Sequence, residues 1–198
     1  MNEEYLFISD CHLDSARPEV TNALIRFLDQ RASNVSRLYI LGDLFEVWLG
    51  DDDPAAAGQP VIDCLQTLAG KIPVYFMAGN RDFLLGEMFT QMSGTNLLDD
   101  PTVIDLYGKP TLLLHGDTLC TDDVKYQQFR AMVRNPAWQQ QMLALSPQER
   151  LKLAKEYREM SQAETGSKAE DIMDVNQQTL EQMMLDLSLI HISEPTRR

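Results

Sequence analysis

Cysteine is scarce in this sequence, and both a long apolar run and a basic amino terminus are lacking. The three cysteines among its 198 residues are an odd number, lie far apart and form no CxxC pair, so they indicate neither a disulfide framework nor a zinc ribbon. No stretch of about 18 uncharged apolar residues occurs, which excludes a spanning helix. The acidic Glu3 and Glu4 precede the first short apolar run, unlike a signal peptide. We therefore expect a protein of the reducing cytoplasm whose membrane contact is at most peripheral.

Positive charge is also in short supply. Lysine and arginine together number 17 against 30 aspartates and glutamates, which gives a formal net charge of −13. Such a chain repels nucleic-acid phosphates, so we expect no nucleic-acid partner, whereas divalent cations suit it. A hydrophobic content of 44% and a charged content of 24% are ordinary for one soluble domain with an insertion. The sequence does not predict an oligomeric state.

Four short apolar runs alternate with segments of helical periodicity up to about Asp117, a pattern typical of an α/β layered domain. The runs are residues 5–9, 37–41, 73–77 and 111–114. The polar residues that follow them are Asp10, Asp43, Asn80 and His115. Because ligands of such sheets bind at the loops that leave the carboxyl ends of the strands, we expect these four side chains to converge on one site.

The segments between and after these runs predict further elements. Residues 18–30 carry apolar side chains at helical spacing and predict a crossover helix. Residues 102–106 and 111–114 flank a turn at residues 107–110, which predicts a β-hairpin.

The chain changes character after Cys120, where β-branched runs vanish and helix formers dominate through Met184. Residues 121–123 predict one helix start, and the capping box of Ser146 and Glu149 predicts another. We therefore divide the chain into a core at residues 1–120, a helical insertion with its return helix at 121–186, and a tail at 187–198.

Four short motifs carry the candidate chemistry. They are Asp10-Cys11-His12, Gly42-Asp43-Leu44, Gly79-Asn80-Arg81-Asp82 and His115-Gly116-Asp117. Each alone is equally well a polar turn, but together, in this order and at strand ends, they resemble the calcineurin-like metallophosphoesterase signature. Their carboxylate, amide and imidazole groups suit Mn²⁺ or similar ions, and a shared aspartate can hold two ions about 3.5–4 Å apart.

Arg81 stands where many members of that superfamily carry histidine. A guanidinium cannot act as a general acid at neutral pH, but it can grip two phosphoryl oxygens at once. This favours a substrate whose leaving group needs no proton, such as a nucleoside phosphate.

Longer segments resemble one branch of the superfamily, the UDP-2,3-diacylglucosamine diphosphatases of lipid A biosynthesis. These segments are residues 40–53 (ILGDLFEVWLGDDD), 79–86 (GNRDFLLG), 114–123 (LHGDTLCTDD) and 172–177 (IMDVNQ). The resemblance covers roughly residues 5 to 184. It implies a β-sandwich flanked by helices, with the helical insertion as a lid that holds acyl chains. It also implies a manganese enzyme on the cytoplasmic face of the inner membrane.

The same resemblance implies roles for individual residues. The implied ligands of two Mn²⁺ ions are Asp10, His12, Asp43, Asn80 and His115, with Asp43 bridging. The implied substrate contacts are Asn80, Arg81, Asp123, Ser161, Thr165 and Lys168, of which Asn80 and Arg81 also serve catalysis. Thr165 falls where relatives often have asparagine. The implied reaction is attack of metal-activated water on the α-phosphorus, giving UMP and 2,3-diacylglucosamine 1-phosphate.

The sequence departs from that family at its end. The family continues into a strand and a GHTH motif with two further metal-site histidines, and neither is found here. We interpret residues 187–198 as a foreign or frame-shifted tail on a truncated chain that lacks its C-terminal strands, and His191 as accidental.

Several alternatives stay open at this point. The protein could be a general calcineurin-like phosphodiesterase or phosphatase, or a scaffold that has lost turnover. Residues 51–53 could bind a cation, although we interpret them as a solvated acidic loop. The methionines of the insertion could line an acyl-chain chamber or pack between helices. Cys11 is interpreted as a buried structural thiol.

Overall fold

A sheet of four parallel strands forms the centre of the molecule. The computed structural model describes residues 3–31, 34–53, 58–165, 172 and 174–187. The strands lie in chain order as β1 (Tyr5–Ile8), β2 (Arg37–Leu41), β3 (Val74–Met77) and β4 (Asn96–Leu98). Parallel neighbours require crossovers, and the connecting helices are α1 (Pro18–Arg31), α2 (Gly58–Ala69) and α3 (Glu87–Ser93). The predicted strands at residues 5–9, 37–41 and 73–77 and the crossover helix at residues 18–30 are confirmed.

The alternation of side chains along β2 builds two cores. Leu38 and Ile40 point into the larger core beneath the helices, where they meet the apolar stripe of α2 that includes Ile62 and Leu65. Tyr39 points to the opposite face. A slip of one residue in the register would exchange the two faces, so the apolar pattern fixes where the strand ends and where Asp43 lies.

A β-hairpin covers part of the second face. Strands β5 (Thr102–Leu106) and β6 (Lys109–Leu113) pair antiparallel, and Leu113 and Ile104 pack against Tyr39. The predicted hairpin is confirmed, but its turn is two residues long, because Tyr107 and Gly108 both adopt positive φ. The predicted strand 111–114 therefore starts earlier and joins this separate sheet. Within the described residues, the second layer of the expected sandwich contains these two strands.

Helices make up the described chain beyond a short 3₁₀ turn at Asp117–Leu119. They are α4 (Val124–Val133), α5 (Pro136–Leu143), α6 (Pro147–Thr165) and α7 (Gln177–Asp186). The predicted starts are confirmed, since the Asp123 carboxylate caps α4 by accepting from Tyr126 N at 3.0 Å. Ser146 and Glu149 form the reciprocal capping box of α6. No helix in the described ranges is long and apolar enough to cross a bilayer.

The acidic loop after β2 is a structural anchor. The Asp51 carboxylate accepts hydrogen bonds from Trp48 Nε1 and from the backbone N–H groups of Gly86 and Phe89 at the start of α3. Asp52 is exposed but pairs with Arg150 of α6. The interpretation of residues 51–53 as a solvated loop is thus wrong for Asp51 and incomplete for Asp52. Apart from Trp48, their partners Gly86, Phe89 and Arg150 lie 35 to 98 residues away in the chain, which no local pattern reveals.

Arg150 joins α6 to this loop, and its removal should destabilise the fold. Its side chain is only 1% exposed, and Nη1 donates to Leu49 O at 2.5 Å and to Asp52 Oδ1 at 2.7 Å. We expect Arg150→Met to lower the free energy of unfolding by about 2–4 kcal/mol, because the partly buried Leu49 carbonyl and the Asp52 carboxylate lose their partner. Urea denaturation measures the change.

Lys152→Met provides the matched control on the same helix. Lys152 is 80% exposed and its pair with Glu156 should contribute less than about 0.5 kcal/mol. Arg150 holds the pKa of Asp52 below its ordinary value. The contribution of Asp52 is therefore present above its unfolded pKa of about 3.9 and is lost as pH falls through the lower folded pKa. Equal losses in the two variants at neutral pH would contradict the anchoring role.

Candidate metal centre

The loops that leave β1 and β2 are bonded to each other along their backbones. Asp10 N donates to Gly42 O at 3.1 Å, and His12 N donates to Asp43 O at 3.0 Å. Asp10, His12 and Asp43 all adopt positive φ, at 53°, 47° and 53°. Such conformations cost roughly 1–3 kcal/mol each in non-glycine residues and persist only where the surroundings enforce them. The backbone bonds therefore hold the three residues in conformations that the isolated chain would avoid.

These three side chains form one cluster of possible ligands. One ligand atom each from Asp10, His12 and Asp43 lies within 4.8 Å of the others. His12 Nε2 is 3.8 Å from both Asp10 Oδ1 and Asp43 Oδ2. Burial raises the pKa of Asp43, while the N–H of Arg81 and the two neighbouring histidines lower it. A buried carboxylate of this kind is stabilised by a nearby cation.

A second cluster lies on the other side of Asp43. His115 Nδ1 is 3.0 Å from Leu41 O, which can only accept, so Nδ1 of the neutral ring carries the proton and Nε2 offers a lone pair. That Nε2 atom is 3.0 Å from Asn80 Oδ1 and 3.7 Å from Asp43 Oδ1. Three electron-pair donors thus face one point, an arrangement that a bound cation would satisfy.

The two clusters share Asp43, whose Oδ2 faces His12 and whose Oδ1 faces His115. The donor set of carboxylate, amide and imidazole groups suits Mn²⁺ and similar ions. The residues present therefore fit a pair of divalent ions bridged by Asp43. The structure brings together all five side chains that the sequence predicted at this site.

Asp82 organises the site and was missed as a functional residue. Its carboxylate is fully buried and accepts hydrogen bonds from the N–H groups of Asp43, Leu44, Phe45 and Gly79, at 2.7 to 3.4 Å. Burial raises its pKa to about 6 despite these donors. The sequence showed Asp82 inside the GNRD motif, but not that its oxygens serve two loops.

Glu46 is a second residue that sequence reasoning missed. Its Oε2 lies 3.3 Å from His12 Nδ1, and its Oε1 lies 3.6 Å from Arg81 Nη1 and pairs with Arg158 of α6. The contact is electrostatic and is not a hydrogen bond, since His12 Nδ1 has no hydrogen-bond partner among the described residues. The only signal in the sequence was its place within the segment 40–53.

An apolar cavity of about 310 Å³ opens beside the clusters, between the core and the helical insertion. Asn80, Arg81 and Ser161 line it, as do Glu46 and Arg158. Its apolar walls are Val47, Trp48, Leu49, Phe83, Leu84, Phe129, Val133, Trp138, Met142, Ala154 and Tyr157. Three of the predicted substrate residues thus share one cavity.

The remaining predicted site residues are placed differently. Asp123 is 7% exposed, caps α4 and does not line this cavity. The side chain of Thr165, the whole of Lys168 and residues 188–198, including His191, lie outside the described residues. Cys11 is half-buried against the main core, and burial raises the pKa of its thiol to about 11.

The described methionines of the insertion divide between the cavity, the surface and α7, where Met183 and Met184 are partly buried. Met142 lines the cavity, whereas Met132 and Met160 are exposed. Helix packing and surface exposure therefore account for more of them than an acyl-chain chamber does.

Comparison with known proteins gives consistent matches. Residues 4–176 match the family described as calcineurin-like phosphoesterase. The UDP-2,3-diacylglucosamine hydrolase of Stenotrophomonas maltophilia K279a is 55% identical over 159 residues, which cover 80% of this chain and 64% of that protein. The enzyme of the same name from Serratia proteamaculans 568 is 50% identical over 182 residues, 91% of this chain and 75% of that protein. The chain thus spans less than two thirds of the length of the first relative.

Solved structures align less completely. The Pseudomonas putida nuclease MPE is 24% identical, with a TM-score of 0.41 over 51% of this chain and 50% of its own. The assignment of the chain to a family therefore rests on the sequence matches.

Gly79 is the position where a side chain should damage the site most directly. A Cβ there would lie 2.2 Å from Asp43 Oδ1 and 2.4 Å from Asp43 N, and the backbone atom cannot move aside. We expect Gly79→Ala to weaken Mn²⁺ binding at least about tenfold, as substitutions beside metal ligands commonly do. Isothermal titration calorimetry measures the affinity.

Gly70→Ala is the control, because a Cβ at Gly70 would meet no atom closer than 3.6 Å. It should leave Mn²⁺ affinity unchanged. Unaltered affinity in the Gly79 variant would mean that the packing of this loop on Asp43 does not matter for ion binding.

Proposed function

The chain belongs to the calcineurin-like phosphoesterase family, and from that premise we propose that it hydrolyses the pyrophosphate bond of UDP-2,3-diacylglucosamine. Water would attack the α-phosphorus and give UMP and 2,3-diacylglucosamine 1-phosphate. The observation that carries the proposal is an apolar cavity that is lined by Arg81 and by Asn80, a member of the second ligand cluster. A glycolipid nucleotide needs both an anion-binding site and an apolar chamber. The relatives named as hydrolases of this compound support the choice of substrate.

The metal centre that we propose contains two Mn²⁺ ions. Asp10 and His12 would hold one, Asn80 and His115 the other, and Asp43 would bridge them. Ions bound there would supply a Lewis acid for a phosphoryl oxygen and lower the pKa of a water molecule. The protein would fix the positions of the ligands. The backbone hydrogen bonds between the loops and the Asp82 carboxylate support this role.

Arg81 would bind the pyrophosphate. Its side chain is 39% exposed at the cavity, and Nη1 is 3.6 Å from Glu46, so it is oriented but not enclosed. A guanidinium can donate two parallel hydrogen bonds to phosphoryl oxygens. It cannot protonate a leaving group, and cleavage at the α-phosphorus expels a phosphate monoester that needs no proton.

Local positive charge offsets the acidity of the chain. The formal net charge of −13 would repel an anionic nucleotide, but Arg81 and Arg158 both line the cavity and both contact Glu46. A pyrophosphate entering the cavity would compete with Glu46 for these two cations. Cationic side chains at the mouth of the cavity therefore favour an anionic head group over a neutral lipid.

The helical insertion would act as the lid. Trp138 and Tyr157 from the insertion face Phe83 from the core across the cavity, an arrangement suited to acyl chains. We assign residues 1–120 to the catalytic core, residues 121–186 to the lid and its return helix, and Ser161 to substrate binding. Thr165 and Lys168 keep the substrate-binding role implied by the resemblance, whereas Asp123 serves as the cap of α4. A substrate embedded in a bilayer would place the protein peripherally on the cytoplasmic face of the inner membrane.

The decisive experiment is a paired assay of the purified chain. With Mn²⁺ present, UDP-2,3-diacylglucosamine should yield UMP, whereas bis(p-nitrophenyl) phosphate should react far more slowly. Hydrolysis in ¹⁸O-water should place the label in UMP, as attack on the α-phosphorus requires. EDTA should abolish turnover and Mn²⁺ restore it.

Other results of this assay would favour one of the alternative functions. Preference for the aryl diester would indicate a general phosphodiesterase. Mn²⁺ binding without turnover of either compound, or no binding of ions at all, would indicate a scaffold.

Ala154 offers a direct test of the acyl-chain chamber. It lines the cavity from α6, and a phenyl group there would displace part of an acyl chain. We expect Ala154→Phe to raise KM for the long-chain substrate about tenfold, since excluding about two methylenes costs about 1.6 kcal/mol. Turnover of the same nucleotide carrying acetyl groups should be unaffected.

Ala137→Phe is the matched variant, because Ala137 is exposed on α5 and does not line the cavity. Its KM should stay at the wild-type value for both substrates. An equal rise in KM for short and long acyl groups with Ala154→Phe would place the chains elsewhere.

A further inference from the structure

Helix α4, which opens the insertion, reaches the loop that carries Asn80. Arg134, directly after its last turn, donates from Nη2 to Ala78 O at 3.1 Å and to Gly79 O at 2.9 Å. These are the two carbonyls immediately before Asn80. The guanidinium also lies over the Phe83 ring, 5.7 Å from its centroid. Arg134 therefore holds the Asn80 loop from both sides of its turn.

The same helix reaches the loop that carries His115. Arg130 Nε donates to Asp117 Oδ2 at 2.9 Å, and its Nη2 lies 3.4 Å from Asp100 Oδ2. The other oxygen of Asp100 accepts from His115 N at 3.2 Å. Tyr126, one turn earlier on α4, donates its hydroxyl to Asp117 at 2.8 Å. Residues 115–117 are thus fixed through two carboxylates that share one arginine.

These contacts are largely removed from water. The side chains of Asp100 and Asp117 are 7% and 8% exposed, and that of Arg130 is 19% exposed. Burial favours a raised pKa for Asp117, but Arg130 and Tyr126 hold it below its ordinary value. Charge-assisted bonds in such surroundings are short, strong and sensitive to geometry.

The spacing on α4 explains how one helix serves both loops. Tyr126, Arg130 and Arg134 recur every four residues and so lie on one face of the helix. That face meets the carboxyl ends of β3 and β6, where Asn80 and His115 begin their loops. Neither arginine lines a cluster of metal ligands, so their effect on the site is indirect.

We propose that Arg130 and Arg134 are positioning residues of the metal centre, so that docking of α4 on the core and binding of divalent ions at Asn80 and His115 are thermodynamically coupled. This inference rests on the metal centre of the proposed function. Thermodynamic linkage makes the effect reciprocal: if docking of α4 raises the affinity for ions, ion binding stabilises the docking of α4 by the same free energy. The insertion then takes part in ion binding as well as covering the cavity.

Lysine variants test the coupling while keeping the charge. Arg130→Lys and Arg134→Lys replace a planar fork, which bonds two acceptors, with a point charge. Each should weaken Mn²⁺ binding about 10- to 100-fold, the usual effect of removing a partner that orients metal ligands. Calorimetric titration with Mn²⁺ alone measures the affinity, at a temperature where circular dichroism shows each variant folded.

Arg26→Lys is the control, because Arg26 is exposed on α1 and lies on the opposite side of the sheet from the hairpin. Its Mn²⁺ affinity should stay within about twofold of wild type, on the scale expected for surface changes. A purely structural role for Arg130 and Arg134 would lower the melting temperature and leave the affinity of the folded protein unchanged, which would overturn the proposal.

A second measurement needs no substitution. Hydrogen exchange of the wild-type chain with and without Mn²⁺ should show slower exchange in α4 when the ion is bound, with α2 as the reference helix. Unchanged exchange in α4 would contradict the coupling even if the lysine variants were too unstable to assay. A wild-type chain that binds no Mn²⁺ would overturn the metal centre and this inference together. Normal wild-type binding with equal affinity in the variants would overturn this inference alone.

Discussion

The carboxylate of Asp82 is the contact on which the site depends. It gathers four backbone N–H groups from the loops after β2 and β3, and in doing so places Asp43 against Gly79. A buried acid is costly unless its oxygens are fully bonded, and here both of them are. Without this acceptor, several buried N–H groups would lose their partners at once. The two loops would then separate, and the shared ligand would no longer face both histidines.

This arrangement explains how the protein tolerates local strain. Asp10, His12 and Asp43 have unfavourable φ values at the positions where their side chains must point inward. Two parallel strands beneath them and the backbone bonds between their loops supply the compensating free energy. The glycines that allow the loops to touch, Gly42 and Gly79, leave no room for a Cβ. Close approach of main chain to main chain, and not the ligand residues alone, therefore defines the site.

Sequence reasoning found what is encoded locally. The strands, the crossover helix, the hairpin and the caps at Asp123 and Ser146 follow from periodicity and turn chemistry within a few residues, and the structure bears them out. The convergence of Asp10, Asp43 and Asn80 follows from the rules of parallel sheets, whereas His115 follows β6 of the separate antiparallel pair and joins them through the tertiary fold. Partners far apart in the chain were not found: Glu46 with Arg158, Asp52 with Arg150, and Asp82 with Leu44. A sequence does not distinguish a buried aspartate or glutamate from an exposed one, because the tertiary fold determines which acidic residues are buried.

The order of the strands has a consequence for biosynthesis. Because β1, β2, β3 and β4 are neighbours in space as they are in sequence, the sheet can grow by one strand at a time as the chain leaves the ribosome. Asp10, His12 and Asp43 all belong to the first β–α–β unit, so three of the five predicted ligands are synthesised before β3 and the insertion. The Asp82 carboxylate that orders the Asp43 loop follows β3, so the arrangement of these side chains is completed only when the third strand has emerged.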